Sequence, residues 1–204
     1  MPSSRFPRRR LLLATLFAPV IGSLAACGQE GAASLELKTG TDITGTNLGS
    51  ALDMTDTSGA SRTLADFKGK VTVFFFGFTQ CPDVCPTAMA ELAQTLELLG
   101  DQASQVQVVM ISVDPERDTL PVMQQYVQTF NPEFIGLTGT PDQLAATAGS
   151  FKAYYAKVPT AKPGDYTMDH AASFYVFDRD AQARILLGGN SAAADMAADI
   201  RQLL

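Results

Sequence analysis

Apolar and polar positions alternate along the chain in blocks that predict strands and helices in turn. Residues 71–78 and 106–113 form continuous apolar runs rich in β-branched and aromatic side chains, which is typical of strands covered on both faces of a sheet. Apolar residues with helical spacing predict helices over 87–99, 121–130 and about 141–151. This alternation predicts an α/β fold.

The sequence before and after this core predicts further strands and a final helix. The stretch LDMTDTSGASRTLADFKGK predicts an N-terminal hairpin that turns at Ser58-Gly59. Residues 157–170 are predicted to form an irregular loop. A strand over 173–177, a hairpin partner over 183–187 and a helix over 192–203 follow it. A strand, a cysteine pair at the mouth of the next helix, a βαβ unit and a final hairpin and helix are the order of a thioredoxin-like fold.

The first 26 residues predict an export signal. Four arginines precede the apolar run 11–26, which is short for a membrane span and ends in small residues. Leu24-Ala25-Ala26-Cys27 has the pattern of a bacterial lipobox, so we expect lipidated Cys27 to be the mature N-terminus. An uncleaved anchor and ordinary signal cleavage are the alternatives, and Arg8-Arg9 also permits a twin-arginine route. Residues 27–48 are predicted to be a flexible tether and 49–204 the folded domain, on the periplasmic face of a membrane.

Charge excludes one class of partner. Removing the four arginines of the signal leaves 11 of the 15 basic residues against 21 acidic ones, a formal charge of −10. Such a surface repels phosphate backbones, which argues against nucleic-acid binding. Hydrophobic residues make up 46% of the chain, enough for one substantial core.

Two cysteines carry the candidate chemistry. Cys81 and Cys85 lie in FGFTQCPDVCPTAM, each followed by a proline. They are too close in sequence to stabilise a fold by a disulfide, so we expect them to be reactive or to bind metal. Pro86 fits only the first turn of a helix, which places Cys85 near the helix N-terminus. There the helix dipole predicts a lowered pKa for the Cys85 thiol.

The spacing of the cysteines favours a shared metal over a disulfide. Residues four apart on a helix have Cβ atoms roughly 5–6 Å apart, whereas an unstrained disulfide needs about 3.5–4.5 Å. The chain has one histidine, His170, which follows the loop predicted to return to the cysteines. Two thiolates and one imidazole suit Cu(I), and with an added water Cu(II), better than a four-coordinate zinc. Met168 is a candidate weak auxiliary ligand, although such a residue is more often packing.

Three segments resemble a known family. GFTQCPDVCPTAM, ISVDPERDT and DHAASFYVFD, in this order and spacing, resemble the Sco/SenC family of extracytoplasmic copper proteins. The resemblance, over about residues 52–204, implies a thioredoxin-like fold with an extra hairpin and copper bound by Cys81, Cys85 and His170. It also implies delivery of copper, or of reducing equivalents, to the dinuclear copper centre of cytochrome c oxidase subunit II. An upstream periplasmic copper donor is expected in addition.

Asp114 matches a family aspartate beside the site, where it supports the ligands or forms part of a docking surface. Its alternative role is to cap a turn with Pro115. Arg117 and Asp118 are equally explained as a local ion pair. The family often has a proline directly after the Asp-Thr pair, but here Leu120 stands in that position and the proline is Pro121.

Three functions remain open at this stage. The favoured one is a copper carrier, which is not an enzyme. The second is a thiol-disulfide oxidoreductase that uses the Cys81–Cys85 pair as a redox-active disulfide and reduces the cysteines of a partner. The proline that precedes the strand facing the cysteines in thioredoxins is replaced here by Ala171-Ala172, which favours the carrier. The third is a peroxiredoxin-like peroxidase that would use Thr79 and Arg117.

Overall fold

The computed structural model describes residues 35–204, so the predicted export signal and Cys27 lie outside the described residues. Within them the strands, in chain order, are β1 Thr41–Asp42, β2 Asp53–Asp56, β3 Ser61–Thr63, β4 Val71–Gly77, β5 Val106–Ser112, β6 Ile135–Thr138, β7 Tyr155–Pro159, β8 Tyr166–His170, β9 Ser173–Phe177 and β10 Ala183–Gly188. The helices are α1 Val84–Leu99, α2 Leu120–Phe130, α3 Pro141–Phe151 and α4 Ala193–Arg201. Short 3-10 helices cover Leu64–Phe67 and Gly100–Gln105.

A central sheet of eight strands organises the described chain in the order β1-β10-β9-β4-β5-β6-β2-β3. Strands β4, β5 and β6 run parallel, and β9 and β10 add antiparallel partners on the other side of β4. Every residue of β4 is buried, as its continuous apolar run predicts. The α/β prediction and the strand and helix order are therefore confirmed.

Aromatic side chains of β4 pack on both faces of the sheet. Neighbouring strand residues point to opposite faces, so Phe74 and Phe75 lie on different sides of β4. Phe74 packs edge-on against Phe151 of α3 with ring centroids 5.4 Å apart, and Phe75 packs against Phe174 of β9 at the same distance. The buried strand β4 thus ends inside this core, and the cysteine segment begins there.

The N-terminal hairpin forms as predicted. Strand β2 pairs antiparallel with β3 and, on its other edge, with β6. Asp56 accepts hydrogen bonds from the backbone amides of Ser58 and Ala60 and from the Arg62 side chain, which together close the turn. The hairpin extends the sheet at the edge remote from β9.

The stretch predicted to be an irregular loop, residues 157–170, is instead mostly a second hairpin. Strands β7 and β8 pair antiparallel, with Tyr155 opposite His170, and form a separate two-stranded sheet. The prediction failed because Pro159, Pro163 and Gly164 suggest a loop and few side chains of β7 are buried. His170 is the last residue of β8, so the hairpin rather than a loop positions this side chain.

The packed domain begins before residue 49, inside the stretch predicted to be a flexible tether. The backbone amides of Lys38, Thr39 and Gly40 all donate to the carboxylate of Asp199, which is fully buried in α4. Strand β1 then pairs with β10. Among the helices that the structure describes, none combines the length and apolar character that a membrane span requires.

Candidate metal centre

The two cysteines lie where the carboxyl end of β4 turns into α1. Asp83 is the N-cap of α1, so Cys85 lies in its first turn while Cys81 precedes the helix. The amide of Cys85 donates to Sγ of Cys81 over 3.3 Å. Cys81 is partly exposed and Cys85 is completely buried, and both are free thiols. The helix N-terminus therefore presents its amide to Cys81 and holds Cys85 in the core.

His170 reaches the cysteines from the far end of the β7–β8 hairpin. Its Nε2 atom lies 3.4 Å from Sγ of Cys85. The two sulfurs and one ring nitrogen of His170 all lie within 4.8 Å of one another. The structure thus brings together the three residues that the sequence predicts as ligands.

The orientation of the His170 ring is determined by its second nitrogen and by two aromatic neighbours. Nδ1 lies 3.2 Å from the carbonyl oxygen of Ala171, which only accepts, so Nδ1 carries the hydrogen and Nε2 presents its lone pair to the sulfurs. Phe75 and Phe78 lie edge-on to the ring at centroid distances of 6.1 and 5.9 Å. Burial lowers the pKa of His170, so the imidazole is neutral at pH 7 and able to bind a metal.

The prediction of a lowered pKa for Cys85 is wrong. Burial raises the pKa of this thiol well above its usual value, and the nearby Cys81 and Asp118 act in the same direction. The helix dipole is outweighed because Cys85 lies inside the core rather than on the helix end. In the metal-free protein Cys85 is therefore a neutral thiol, and a bound cation supplies the positive charge that a thiolate at this position requires.

Gly77 makes room for the buried sulfur. A Cβ atom at this position would lie 2.8 Å from the ring of Phe75, 3.1 Å from Sγ of Cys85 and 3.1 Å from the Met110 methyl. A larger residue at the end of β4 would therefore displace the thiol. The sequence gives no signal for this role, because nothing along the chain indicates that the glycine faces Cys85.

The donor set fits a soft metal ion. A metal bonded to two sulfurs at about 2.3 Å draws them to roughly 4 Å apart. The three donor atoms already lie within 4.8 Å of one another, so only small side-chain rotations separate this arrangement from a bound one. Two thiolates and one neutral imidazole are ligands that copper favours.

The comparisons with known proteins agree with this geometry. The family model of SCO1/SenC matches residues 40–204. The chain belongs to the SCO1/SenC family. The bovine (Bos taurus) protein named "Protein SCO2 homolog, mitochondrial" is 40% identical over 127 residues, which cover 61% of this chain and 48% of that protein. The chain spans about half the length of the curated relatives that it matches.

Solved structures of SCO1/SenC proteins confirm the thioredoxin-like fold. Copper-bound ScoI of Bradyrhizobium japonicum is 39% identical with a TM-score of 0.69, and the match covers 82% of this chain and 100% of that one. Copper-bound Sco1 of yeast is 32% identical with a TM-score of 0.70, covering 76% and 87%. A SCO1/SenC family lipoprotein of Bacillus anthracis is 26% identical with a TM-score of 0.64, covering 83% and 95%.

In this SCO1/SenC chain the loop after β5 lies beside the cysteine loop, as expected for neighbouring parallel strands. Asp118 is buried and accepts hydrogen bonds from the Thr79 hydroxyl over 2.7 Å and from the Ser112 hydroxyl over 2.7 Å. The predicted ion pair between Arg117 and Asp118 does not form, because Arg117 pairs with Asp114 instead. Asp118 thus ties the cysteine loop to β5 through its side chain, a role that the sequence did not indicate.

Asp114 is buried and contacts the β7–β8 hairpin. One carboxylate oxygen accepts from Nε of Arg117 and the other from the Tyr166 hydroxyl over 2.9 Å. Tyr166 is a further residue that the sequence reasoning missed. The alternation of Tyr166, Met168 and His170 is the signal of a strand with one inward face. Met168 is partly buried and packs against the core.

Proposed function

We propose that this chain is an extracytoplasmic copper carrier that holds one copper ion through Cys81, Cys85 and His170. The proposal rests on one observation: three donor atoms suited to a soft metal ion lie within 4.8 Å of one another. Nε2 of His170 already faces Sγ of Cys85. The copper-bound relatives support the choice of metal. Copper is the cargo of the protein, and the acceptor that we propose is the dinuclear copper centre of cytochrome c oxidase subunit II.

The exposure of the ligands suggests how the cargo leaves. Cys81 is partly exposed while Cys85 is completely buried, so an incoming thiolate meets copper on the Cys81 side. Transfer by ligand exchange forms one bond from copper to the acceptor sulfur for each bond to this chain that breaks. The copper keeps its oxidation state, and each thiolate released here takes up a proton. A three-donor site suits such exchange because it leaves coordination positions open.

The place of action follows from the N-terminal sequence. We propose that Cys27 carries lipid and that the chain acts on the periplasmic side of a membrane, where an upstream donor supplies copper. The lipobox pattern supports this proposal, and so does the Bacillus anthracis neighbour that is named as a lipoprotein. The acidic balance of the mature chain, with a formal charge of −10, counts against a nucleic-acid partner.

A second candidate function is the reduction of a disulfide in the copper acceptor. It is favoured by the contact of Cys81 with the Cys85 amide, which leaves one sulfur accessible and the second directly behind it. The exposed thiolate would attack the partner's disulfide, and Cys85 would then resolve the mixed disulfide. This chain would lose two electrons and two protons as its disulfide forms, and the partner would gain two thiols.

A copper titration of the full chain in detergent tests the carrier proposal. The reduced protein is titrated with Cu(I) against a chromophoric chelator, alongside Cys81→Ser, Cys85→Ser and His170→Ala, with Cys27→Ser as the matched cysteine control. We expect one tight equivalent in the wild type and in Cys27→Ser, and its loss in the other cysteine variants. The loss of a ligand worth even about 1.4 kcal/mol lowers affinity tenfold, so His170→Ala is expected to bind at least that much more weakly.

Wild-type affinity in His170→Ala would show that the three-ligand site is wrong. The reductase candidate is tested separately by equilibrating the Cys81–Cys85 pair with redox buffers. A reduction potential too high to reduce an acceptor disulfide counts against that function and leaves the carrier proposal standing.

A further inference from the structure

The β7–β8 hairpin stands apart from the main sheet, although it carries His170. In the described chain its strands pair only with each other. The outer residues of β7 are exposed, and a crevice of about 140 Å³ separates the hairpin from the loop after β5. Segments with so few buried contacts open more easily than the core. Side-chain contacts between the hairpin and the rest of the domain are therefore expected to contribute to the position of His170, in addition to the contacts of its own ring.

Tyr166, the first residue of β8, makes those contacts. Its hydroxyl donates to Asp114 over 2.9 Å, and its carbonyl oxygen accepts from Nη1 of Arg117 over 2.9 Å. The guanidinium carbon of Arg117 also lies 3.8 Å from the centroid of the Tyr166 ring. Burial and the bond to Asp114 raise the pKa of Tyr166 to about 12, so the phenol stays protonated and keeps donating.

The same arginine also lies near an aromatic neighbour of the histidine. Arg117 lies 6.0 Å from the centroid of Phe78, and Phe78 lies edge-on to the ring of His170. Tyr166 and His170 are four residues apart on one strand and so share a face. A paired strand moves as a unit, so a displacement of Tyr166 carries His170 with it.

We propose that Tyr166 and Arg117 are positioning residues that fasten the β7–β8 hairpin to Asp114 and thereby hold His170 over the two sulfurs. The proposal rests on the copper site proposed above. When these contacts break, the hairpin moves away and copper stays on two thiolates alone. An incoming thiolate removes copper more readily from that two-coordinate form, so the contacts of Tyr166 and Arg117 determine the rate of copper release.

The copper release rate tests this role. The copper-loaded full chain is mixed with excess chelator, and the wild type is compared with Tyr166→Phe, Arg117→Lys and the control Glu116→Gln. Tyr166→Phe keeps the ring and removes one hydrogen bond to a buried carboxylate, which is worth about a tenfold change in equilibrium. We expect copper release to be about tenfold faster in Tyr166→Phe and faster also in Arg117→Lys.

Glu116→Gln is matched because it breaks an exposed ion pair between the same loop and the same hairpin. Glu116 accepts from Lys157 of β7 over 2.8 Å, and its side chain is 63% exposed. The Tyr166 hydroxyl lies 3.5 Å from the same carboxylate, at the outer limit of a hydrogen bond, and the amide oxygen of a glutamine keeps an acceptor there. Exposed pairs of this kind contribute little, so release from this variant is expected to stay within about twofold of the wild type. If copper release from Glu116→Gln were accelerated as much as from Tyr166→Phe, the contacts of Tyr166 would have no specific role in holding the hairpin.

Hydrogen exchange of the metal-free protein provides a second measurement. In Tyr166→Phe, amides of β7 and β8 are expected to exchange about tenfold faster while those of β4 and β5 keep the wild-type rate. Uniform acceleration along the chain, or a copper release rate within twofold of the wild type, overturns the proposal. If the wild type binds no copper, the carrier function fails, but the exchange pattern still decides whether Tyr166 holds the hairpin.

Discussion

Nε2 of His170 lies 3.4 Å from Sγ of Cys85, although 85 positions of sequence separate the two residues. Cys85 arrives at this point in the first turn of α1, and His170 arrives on a hairpin outside the main sheet. One donor therefore sits in the core and the other on a segment that few buried contacts hold. This asymmetry suits a carrier, since one side of the site stays fixed while the other opens.

The single histidine makes its titration directly visible by NMR. Because burial lowers the pKa of His170, the metal-free protein is expected to titrate below 6.5 and the urea-unfolded chain close to 6.5. Between these two values the unfolded state binds the extra proton, so the free energy of unfolding falls as pH drops through this window. The fall is expected to be absent in His170→Gln. A folded-state midpoint at or above 6.5 would contradict the burial argument.

The two cysteines are expected to differ in alkylation. Cys81 is partly exposed, whereas Cys85 is buried with a raised pKa. Iodoacetamide added to the reduced, metal-free protein at pH 7.5 is therefore expected to modify Cys81 faster than Cys85, which peptide mass mapping measures. In urea both residues should react alike, which serves as the control. Equal rates in the folded protein would mean that burial in the core does not protect Cys85.

Gly77→Ala is expected to damage both the core and the site. Its Cβ atom would lie 2.8 Å from the Phe75 ring and 3.1 Å from Sγ of Cys85, so the free energy of unfolding should fall by about 1–3 kcal/mol. Copper affinity should fall as well, because the sulfur is displaced. Denaturant unfolding and chelator competition measure the two effects.

Gly149→Ala is the matched control for that substitution. Gly149 lies in α3, and no heavy atom would lie within 4 Å of the new Cβ. Alanine favours the helix, so this variant should gain up to about 1 kcal/mol. A loss of stability similar to that of Gly77→Ala would show that crowding at Cys85 is not the cause.

Asp118→Ala is expected to loosen the cysteine loop. The substitution leaves the hydroxyl donors of Thr79 and Ser112 without their acceptor, which costs roughly 1–3 kcal/mol in unfolding free energy. Copper affinity should fall as well, because the loop that contains Thr79 and Cys81 would no longer be held by Asp118. The exposed Glu97→Ala is the comparison variant and should change stability by less than about 0.5 kcal/mol. Equal effects of the two substitutions would exclude a special role for Asp118.

The hydrophobic pattern was sufficient to predict most of the fold. The apolar runs of β4 and β5 are long and continuous, since both faces of those strands are covered, and such runs leave few alternatives. The β7–β8 hairpin escaped prediction because none of its side chains is fully buried and three of the five in β7 are exposed, so the hydrophobic pattern is weak. The start of the packed domain was misplaced for a related reason. The segment around Gly40 is held by backbone amides that donate to Asp199. Almost every residue has such an amide, so this contact cannot be recognised from the residue types of the segment.

The sequence by itself determined the candidate ligands, two thiols four positions apart and one imidazole, and most of the strands and helices around them. Local composition and spacing carry this information, because metal preference depends on ligand type, and the distinction between strand and helix depends on hydrophobic period. Only the tertiary structure decided that burial raises the pKa of the Cys85 thiol and that Arg117 donates to Tyr166 on the strand that carries His170. Both features depend on residues that are distant in the chain. For Cys85, burial raises the pKa of the thiol by more than the helix N-terminus lowers it, and for Tyr166 the hydrogen-bond donor is Arg117.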